Sequence, residues 1–348
     1  MAEIAERAGV ALSTVSYVLS GKRPVSEKMR ERVMAAINEL DYRPHGPARA
    51  LASGASHTIA LFMPSPLWQL LPIHQVFVAG ATQATSASDY SLLLSTAATD
   101  PDTVAQVVAR GRADGVILME TVLDDPRVER LQQDGSPFAL IGRTRDTTGI
   151  SYVDMDFGAA VELGLEYLAR LGHTCVALFN FPPDLLDAGL TAAVIAQEVF
   201  ERRAPEMGIR GVHLPCSHEP HEAFEVAARL LRSEPECTAA LTTGWQFTGL
   251  LRALRAADLR VPNDFSVVSV IASQFAEMLT PSLTGIEWPA FEAGHRAAEM
   301  LIEQLTTRDA PTRQHLVPAQ LAVRESTGPA PRGRASMPAP VIEPIGAG

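Results

Sequence analysis

Residues 1–56 limit most sharply what this chain can fold into: three short segments with helical apolar spacing follow one another, the first closed by a glycine. Ile4, Ala5 and Ala8 fall on one face of a first helix, and Gly9 breaks it. Leu12, Val15, Val18 and Leu19 resume the spacing after Val10. A small side chain at Ala5 lets two helices approach, Gly9 permits the turn's backbone angles, and Val15 locks the second helix onto the first. These are the requirements of a helix-turn-helix. A third helix is predicted after Ser26, a residue type that caps helix starts. Glu27 lies in its first turn, and Met29, Val33, Ile37 and Leu40 face inward. By spacing alone, any small helical bundle fits as well.

Charge separates this segment from the rest. The 348 residues carry a net charge of −11, but residues 1–56 hold 8 Lys/Arg against 6 Asp/Glu and the remainder 21 against 34, so a head of +2 precedes a body of −13. A mildly basic head on an acidic body suits a protein that offers only the head to phosphates, with binding that weakens steeply with salt. A hydrophobic fraction of 47% and a charged fraction of 20% are those of a soluble globular chain. The absence of an 18-residue apolar run and of a charged-then-apolar leader argues against a membrane span or secretory signal. The three scattered cysteines, Cys175, Cys216 and Cys237, suit a reducing cytoplasm.

The residues of the head are more specific than their spacing. Ile4-Ala5, Ala8-Gly9-Val10, Thr14-Val15-Ser16, Leu19, Gly21, Val25-Ser26, Arg32-Val33, Leu40, Tyr42-Arg43-Pro44, Ala48-Arg49 and Leu51 stand at fixed offsets. In these the chain resembles the head of the lactose-repressor (LacI/GalR) family of bacterial transcription regulators, and the resemblance continues more weakly to about Ser326. It implies that the second helix, roughly Leu12–Ser20, enters the major groove of double-stranded DNA. Leu12, Ser13, Ser16 and Tyr17 would then lie at base edges, with the Thr14 and Ser16 hydroxyls on phosphates. For Leu12 the competing reading is core packing. It implies further that Pro44–Gly54 is a hinge helix that wedges Leu51 into the minor groove, flanked by Ala48 and Arg49. A flexible Ala/Gly/Ser linker is the alternative. Two features depart from the family: Ala11 occupies a capping-serine slot, and several residues usually precede the position of Met1, so the start is expected upstream.

From Ile59 short apolar runs alternate with helical stretches. The predicted strands are Ile59–Met63, Ser91–Leu94, Val116–Met119, Phe138–Ile141, Val176–Phe179, Gly211–Leu214, Ala239–Thr242 and Val267–Val270. The expected fold is α/β: an all-α helix-turn-helix head (1–44), a hinge helix and linker (45–57), and a two-lobed, doubly wound parallel-sheet domain resembling periplasmic binding proteins (58–326). Lobe 1 covers about 58–150 and 281–311, and lobe 2 about 151–280 and 312–326, with crossings near Ile150, Thr280 and Thr312. Residues 327–348, rich in Pro, Gly and Ala, read as a disordered tail.

A ligand is expected in the cleft between lobes, at the carboxyl ends of the strands. Three polar grips of the family's sugar sensors are missing. Ala196-Gln197-Glu198-Val199-Phe200 stands for an Arg-x-x-Gly-aromatic segment, Thr243-Gly244 for an Asn-Asp pair, and Ser269-Val270-Ile271-Ala272 for a Gly-aromatic-Asp-Asp segment. The candidates available instead are Trp68, Gln69, Arg143, Asn180, Trp245, Gln246, Ser273, Gln274 and Phe275, each with a core or lobe-interface reading beside the functional one. Tryptophans stack on sugar faces, and several segments resemble an actinobacterial-looking subset that responds to oligosaccharides. An oligosaccharide or glycoside is therefore the leading effector, with an apolar metabolite, or no effector at all, as alternatives.

Other signals are weaker. His213, Cys216, His218 and His221 cluster within ten residues but match no zinc spacing, so loop or surface roles are expected. Gly172-His173 reads as a structural helix-to-strand turn. Asp156 is expected to cap a helix starting at Phe157, with Asp154 part of the same crossover. A phosphate loop, nucleophile elbow or His-Glu-x-x-His motif is lacking, so no cofactor, metal or enzyme activity is expected. The sequence reads as a cytoplasmic, dimeric or tetrameric repressor whose ligand alters its affinity for a near-palindromic operator. A ligand sensor without a regulatory role, or a constitutive DNA binder, is the rival.

Overall fold

A computed structural model of the chain describes residues 2–20, 23–40, 55–63, 71–96 and 100–331. The head is three helices, α1 (Ala2–Ala8), α2 (Leu12–Ser20) and α3 (Glu27–Glu39). Ile4, Ala5, Ala8, Val15, Val33, Ala36 and Ile37 form its core, with Val10, Val18 and Leu40 packed against it. Gly9 has φ +59°, the left-handed conformation that the turn demands. Arg32 of α3 closes over this turn, donating from Nη2 to the carbonyls of Ala8 (2.6 Å) and Gly9 (3.2 Å). An Arg7–Glu39 pair ties α1 to α3. Ser26 occupies the N-cap position of α3 without a side-chain capping bond.

The body runs β1 (Thr58–Phe62), α4 (Pro72–Ala87), β2 (Ser91–Ser95), α5 (Pro101–Ala109), β3 (Gly115–Met119), α6 (Pro126–Gln133), β4 (Phe138–Ile141) and β5 (Tyr152–Met155). It continues with α7 (Phe157–Arg170), β6 (Cys175–Asn180), α8 (Pro183–Asp187), α9 (Thr191–Glu206), β7 (Arg210–Pro215), α10 (Pro220–Ser233), β8 (Ala239–Thr242), α11 (Phe247–Ala256) and β9 (Ser266–Val270). Last come α12 (Ser273–Ala276), β10 (Thr284–Ile286), α13 (Ala290–Thr306), β11 (Gln314–Val317) and β12 (Leu321–Ala322). Two six-stranded sheets result, ordered β11-β5-β4-β3-β1-β2 and β12-β10-β9-β8-β6-β7. Pairing is parallel except between β10 and β12. Central strands are buried on both faces, as helices above and below a parallel sheet require. Side chains of α4 and α13 pack on one face of the first sheet, and a second cluster including Val104, Val128 and Leu131 covers the other.

The eight strands expected from apolar runs are all present within a residue of their bounds. β5, β10, β11 and β12 were not anticipated, and they move the lobe crossings. Because β5 pairs with β4 and β11, the chain leaves the first sheet after Met155 rather than near Ile150. It leaves the second after Ile286 rather than near Thr280, and crosses last between Val317 and Leu321 rather than near Thr312. A four-residue strand carrying Asp154 has no apolar signature of its own; only its pairing assigns it. The expected tail also begins too early at 327. Thr327 Oγ1 bonds Tyr167 Oη (2.9 Å) and Thr284 Oγ1 (2.8 Å), Gly328 N donates to Ser266 Oγ (3.1 Å), and Ala330 N donates to the Leu171 carbonyl (2.8 Å). Residues 332–348 lie outside the described residues.

Candidate functional site

Two surfaces carry the chemistry. On the head, the first turn of α2 projects Leu12 outward with 52% of its surface exposed, which answers the core-packing alternative. Ser13 is exposed beside it, and Thr14 and Tyr17 are half-buried. The Arg23 guanidinium lies 5.3 Å from the centre of the Tyr17 ring, a cation–π contact that places a positive charge beside this face. The Ser16 side chain and residues Ala48, Arg49 and Leu51 lie outside what the structure describes.

On the body, a cavity of about 620 Å³ opens between the two sheets at their carboxyl ends. Its apolar walls include Phe77, Phe157, Phe181, Trp245, Phe275 and Trp288. Trp245 meets Phe275 edge-on at 5.4 Å, and Phe181 meets His218 at 5.6 Å. The lobes touch beside it through backbone. Leu123 N donates to the Gly189 carbonyl (2.9 Å) and Thr191 N to the Thr121 carbonyl (3.1 Å), around a Val122–Leu190 bridge.

The first lobe builds its polar part of the wall from β3. Asp125 and Arg127 form a buried ion pair (2.7 Å), and Arg127 Nη2 donates to the carbonyls of Met119 (3.3 Å) and Glu120 (3.1 Å). This clamp holds Glu120 at φ +50°, a conformation costly for a residue with a side chain and persistent only when its surroundings fix it. His74 Nε2 lies 3.1 Å from Glu120 Oε1, while its Nδ1 accepts from Leu71 N (3.0 Å). The ring proton of neutral His74 therefore sits on Nε2, facing Glu120. Arg143 Nε lies 3.4 Å from Asp154 Oδ2. Burial pushes the Asp154 carboxyl up to about 7 against the opposing pull of Arg143, and the nearby Asp156 adds to the rise. In the second lobe, burial pushes the His218 imidazole down to about 4, so it is neutral near pH 7, with His74 adding to the fall.

Of the nine candidate ligand contacts, Arg143, Trp245 and Phe275 line this cavity. Asn180 does not. It is fully buried, donating to the Ala193 carbonyl (2.9 Å) and accepting from Phe181 N (2.9 Å), so it fastens β6 to α9. Gln246 is likewise buried, its Nε2 donating to the Asn180 carbonyl (3.0 Å). The Ser273 hydroxyl is taken by Glu287 and by Arg324 (2.8 Å), and Gln274 is exposed away from the wall. Trp68 and Gln69 lie outside the described residues. Two of the three altered grip segments do form wall, as Thr243-Gly244 and Val270-Ile271-Ala272. In the third, Ala196 and Phe200 belong to the core, and the cavity is reached instead by Leu190, Thr191 and Ala192.

Sequence reasoning missed His74, Glu120, Asp154, His218 and Trp288. His218 does lie in the loop between β7 and α10, as expected, and from there it enters the wall; His221 is exposed, while His213 turns to Asn180 (3.1 Å) and Cys216 into the core. The signal was position: Asp154 lies at the carboxyl end of β5, and the others follow a strand or stand in the first turn of the next helix, where open α/β sheets bind ligands. Asp156 does cap α7, accepting from Ala159 N (3.0 Å). His173 is buried against Thr238 (2.8 Å) and Ser266 (3.1 Å), the structural turn expected. Among the described residues no group of His, Cys, Asp and Glu is arranged to hold a metal ion, and no helix is long and apolar enough to cross a membrane.

Both parts of the chain match known proteins. Residues 1–45 match the model described as bacterial regulatory proteins, lacI family, and residues 165–327 that of a periplasmic binding protein-like domain. The HTH-type transcriptional regulator AglR of Rhizobium meliloti is 30% identical, covering 97% of this chain and 96% of that protein. The Escherichia coli ribose operon repressor is 30% identical over 88% of this chain and 93% of its own. Among solved structures, the lac repressor dimer bound to operator and the anti-inducer ONPF superposes with a TM-score of 0.80 at 25% identity, covering 93% of this chain and 98% of that one. The CelR–cellobiose complex gives 0.68 at 26%, with the same coverage.

Proposed function

Because the chain belongs to the lacI family of bacterial regulatory proteins and is a DNA-binding transcriptional regulator, we propose that it is a cytoplasmic repressor acting as a homodimer or tetramer, with a saccharide controlling its operator affinity. The observation that carries this is the pairing, in one chain, of an outward-facing second head helix with an aromatic-walled cavity held between two latched lobes. Leu12, Ser13, Ser16 and Tyr17 read base edges in the major groove, Thr14 holds a phosphate beside them, and the segment with Ala48, Arg49 and Leu51 occupies the minor groove at the centre of the site. Residues 1–44, 45–57 and 58–326 divide these tasks as head, hinge and sensing body. Stacking on Trp245, Phe275 and Trp288 suits a sugar ring, in keeping with relatives named for ribose and solved with cellobiose.

Ligand binding that differs between lobe arrangements shifts the hinge segments and so the affinity for DNA. Selection of genomic fragments on the purified full-length protein, followed by footprinting, is expected to yield a near-palindrome protected across both half-sites. Leu51→Ala should weaken that binding while dimerisation persists. Protection of a single asymmetric half-site, or unchanged affinity in the Leu51 variant, would remove the dimeric reading or the wedge respectively.

A further inference from the structure

The cavity wall spends most of its fixed donors internally. Arg143 faces Asp154, the His74 Nε2 hydrogen faces Glu120, Thr121 Oγ1 donates to the Arg143 carbonyl (3.1 Å), and Thr243 Oγ1 donates to the Phe179 carbonyl (3.3 Å). What the second lobe leaves open is largely acceptor. Asp184, Glu219 and Glu222 line the cavity, and none of them is in an ion pair among the described residues. Acids at the starts of α8 and α10 complement the helix dipoles, yet Glu219 makes no side-chain capping bond.

His218 Nδ1, a buried polar atom of the same wall, has no partner, and neither has Oε1 of the neighbouring buried Gln246, which does not itself line the cavity. The Gln246 amide is oriented by its donation to Asn180, so Oε1 is an unfilled acceptor. Both atoms lie beside Gly244, whose missing Cβ would stand 3.2 Å from His218 Nδ1, 3.6 Å from Gln246 Oε1 and 2.8 Å from His218 Cε1. The side chain omitted at Gly244 makes room for the imidazole. Thr191 Oγ1, also buried without a partner, is a hydroxyl that accepts as readily as it donates.

We propose that the ligand of this cavity carries a primary ammonium group, as an amino sugar does, held on the second-lobe wall among Asp184, Glu219 and Glu222 with a donor directed at His218 Nδ1. An ammonium has three donors and no acceptor, which matches a wall of carboxylates and unfilled acceptors, and the rings of Phe181 and Trp245 add cation–π attraction. A sugar phosphate would meet three like charges. This inference rests on the reading of the cavity as the effector site.

The test is calorimetry on the full-length protein with two disaccharides that differ in their amines, cellobiose and the β-1,4-linked dimer of glucosamine, at a pH where the amines are protonated. The amine-bearing sugar is expected to bind about tenfold more tightly, the scale of one charge-assisted contact. Glu219→Gln/Glu222→Gln and, separately, the exposed Asp184→Asn should each shrink that ratio, with thermal melts reporting that the variants fold. If cellobiose binds as tightly or more tightly, or if the ratio persists in both variants, the ammonium inference fails and the saccharide reading stands. If neither sugar binds, both fall.

Discussion

Asp154 and His218 share one cavity, and their titrations act on stability in opposite directions. Folding raises the Asp154 carboxyl from 3.8 to about 7, so the folded protein holds a proton that the unfolded chain has lost. The stability this contributes is complete below pH 3.8 and lost as pH rises through about 7. Folding lowers the His218 imidazole from 6.5 to about 4, so its contribution is complete above pH 6.5 and lost as pH falls through about 4. The two slopes oppose each other between about pH 4 and 7, and removing one exposes the other. In Asp154→Asn a neutral amide replaces the protonated acid that the folded protein holds, so the change of group itself is a nearly constant offset across most of this window. The unfolding free energy of the variant minus that of the wild type, from denaturant melts, is therefore expected to climb from pH 4 to 7 by about 2 kcal/mol if half the displacement is expressed. A flat difference would mean that Asp154 ionises normally. Neither group was legible as a site residue. Asn180 and Gln246 were named and His218 was not, because a fully buried amide and a wall imidazole look alike in sequence. What separates them is whether the polar atoms find backbone partners, and only the packed structure shows that.

At the scale of elements, legibility followed unbroken apolar runs rather than burial itself, since β5 and β10 are buried throughout. β1, β3, β4, β6, β8 and β9 are continuous apolar runs because helices cover both faces of their sheets, and such runs announce themselves. β5 and β10 escape notice because Asp154, Thr284 and Gly285 interrupt them, and it is these strands that fix where the chain changes lobe. In the head the helix spacing was plain, but the contact that stiffens it was not. Arg32 reaches back from α3 to the carbonyls at the end of α1 and in the turn that leads into α2. These are charge-assisted bonds at a partly exposed site, so losing them costs about 1 kcal/mol. Arg32→Met keeps the aliphatic stem and removes the donors. Operator affinity measured by fluorescence anisotropy is expected to fall about fivefold, with head helicity by circular dichroism nearly retained. Full affinity in this variant would show that the turn needs no brace.

Across the whole molecule, regulation turns on how firmly the two lobes hold each other beside the cavity. The contact is a short backbone splice, Thr121–Leu123 against Gly189–Thr191, with one donor contributed by the first residue of α9. That placement allows a narrow test. The first position of a helix tolerates proline, since its N–H has no partner within the helix. Leu190, at φ −50° and ψ 118°, already has the extended conformation that a following proline requires. Thr191→Pro therefore deletes the donor to the Thr121 carbonyl while leaving α9 intact; it also removes the Thr191 hydroxyl, which Thr191→Val controls for. If the splice holds the lobes in the arrangement seen here, the proline variant should populate an opened body. Small-angle scattering would then give a larger radius of gyration without ligand, and ligand affinity would fall by the fraction of time spent open, while Thr191→Val keeps the wild-type radius. Operator affinity must then change as well, in whichever direction the open arrangement sets the hinges, because one equilibrium governs both sites. An enlarged radius with unaltered DNA binding would disconnect the cavity from the head.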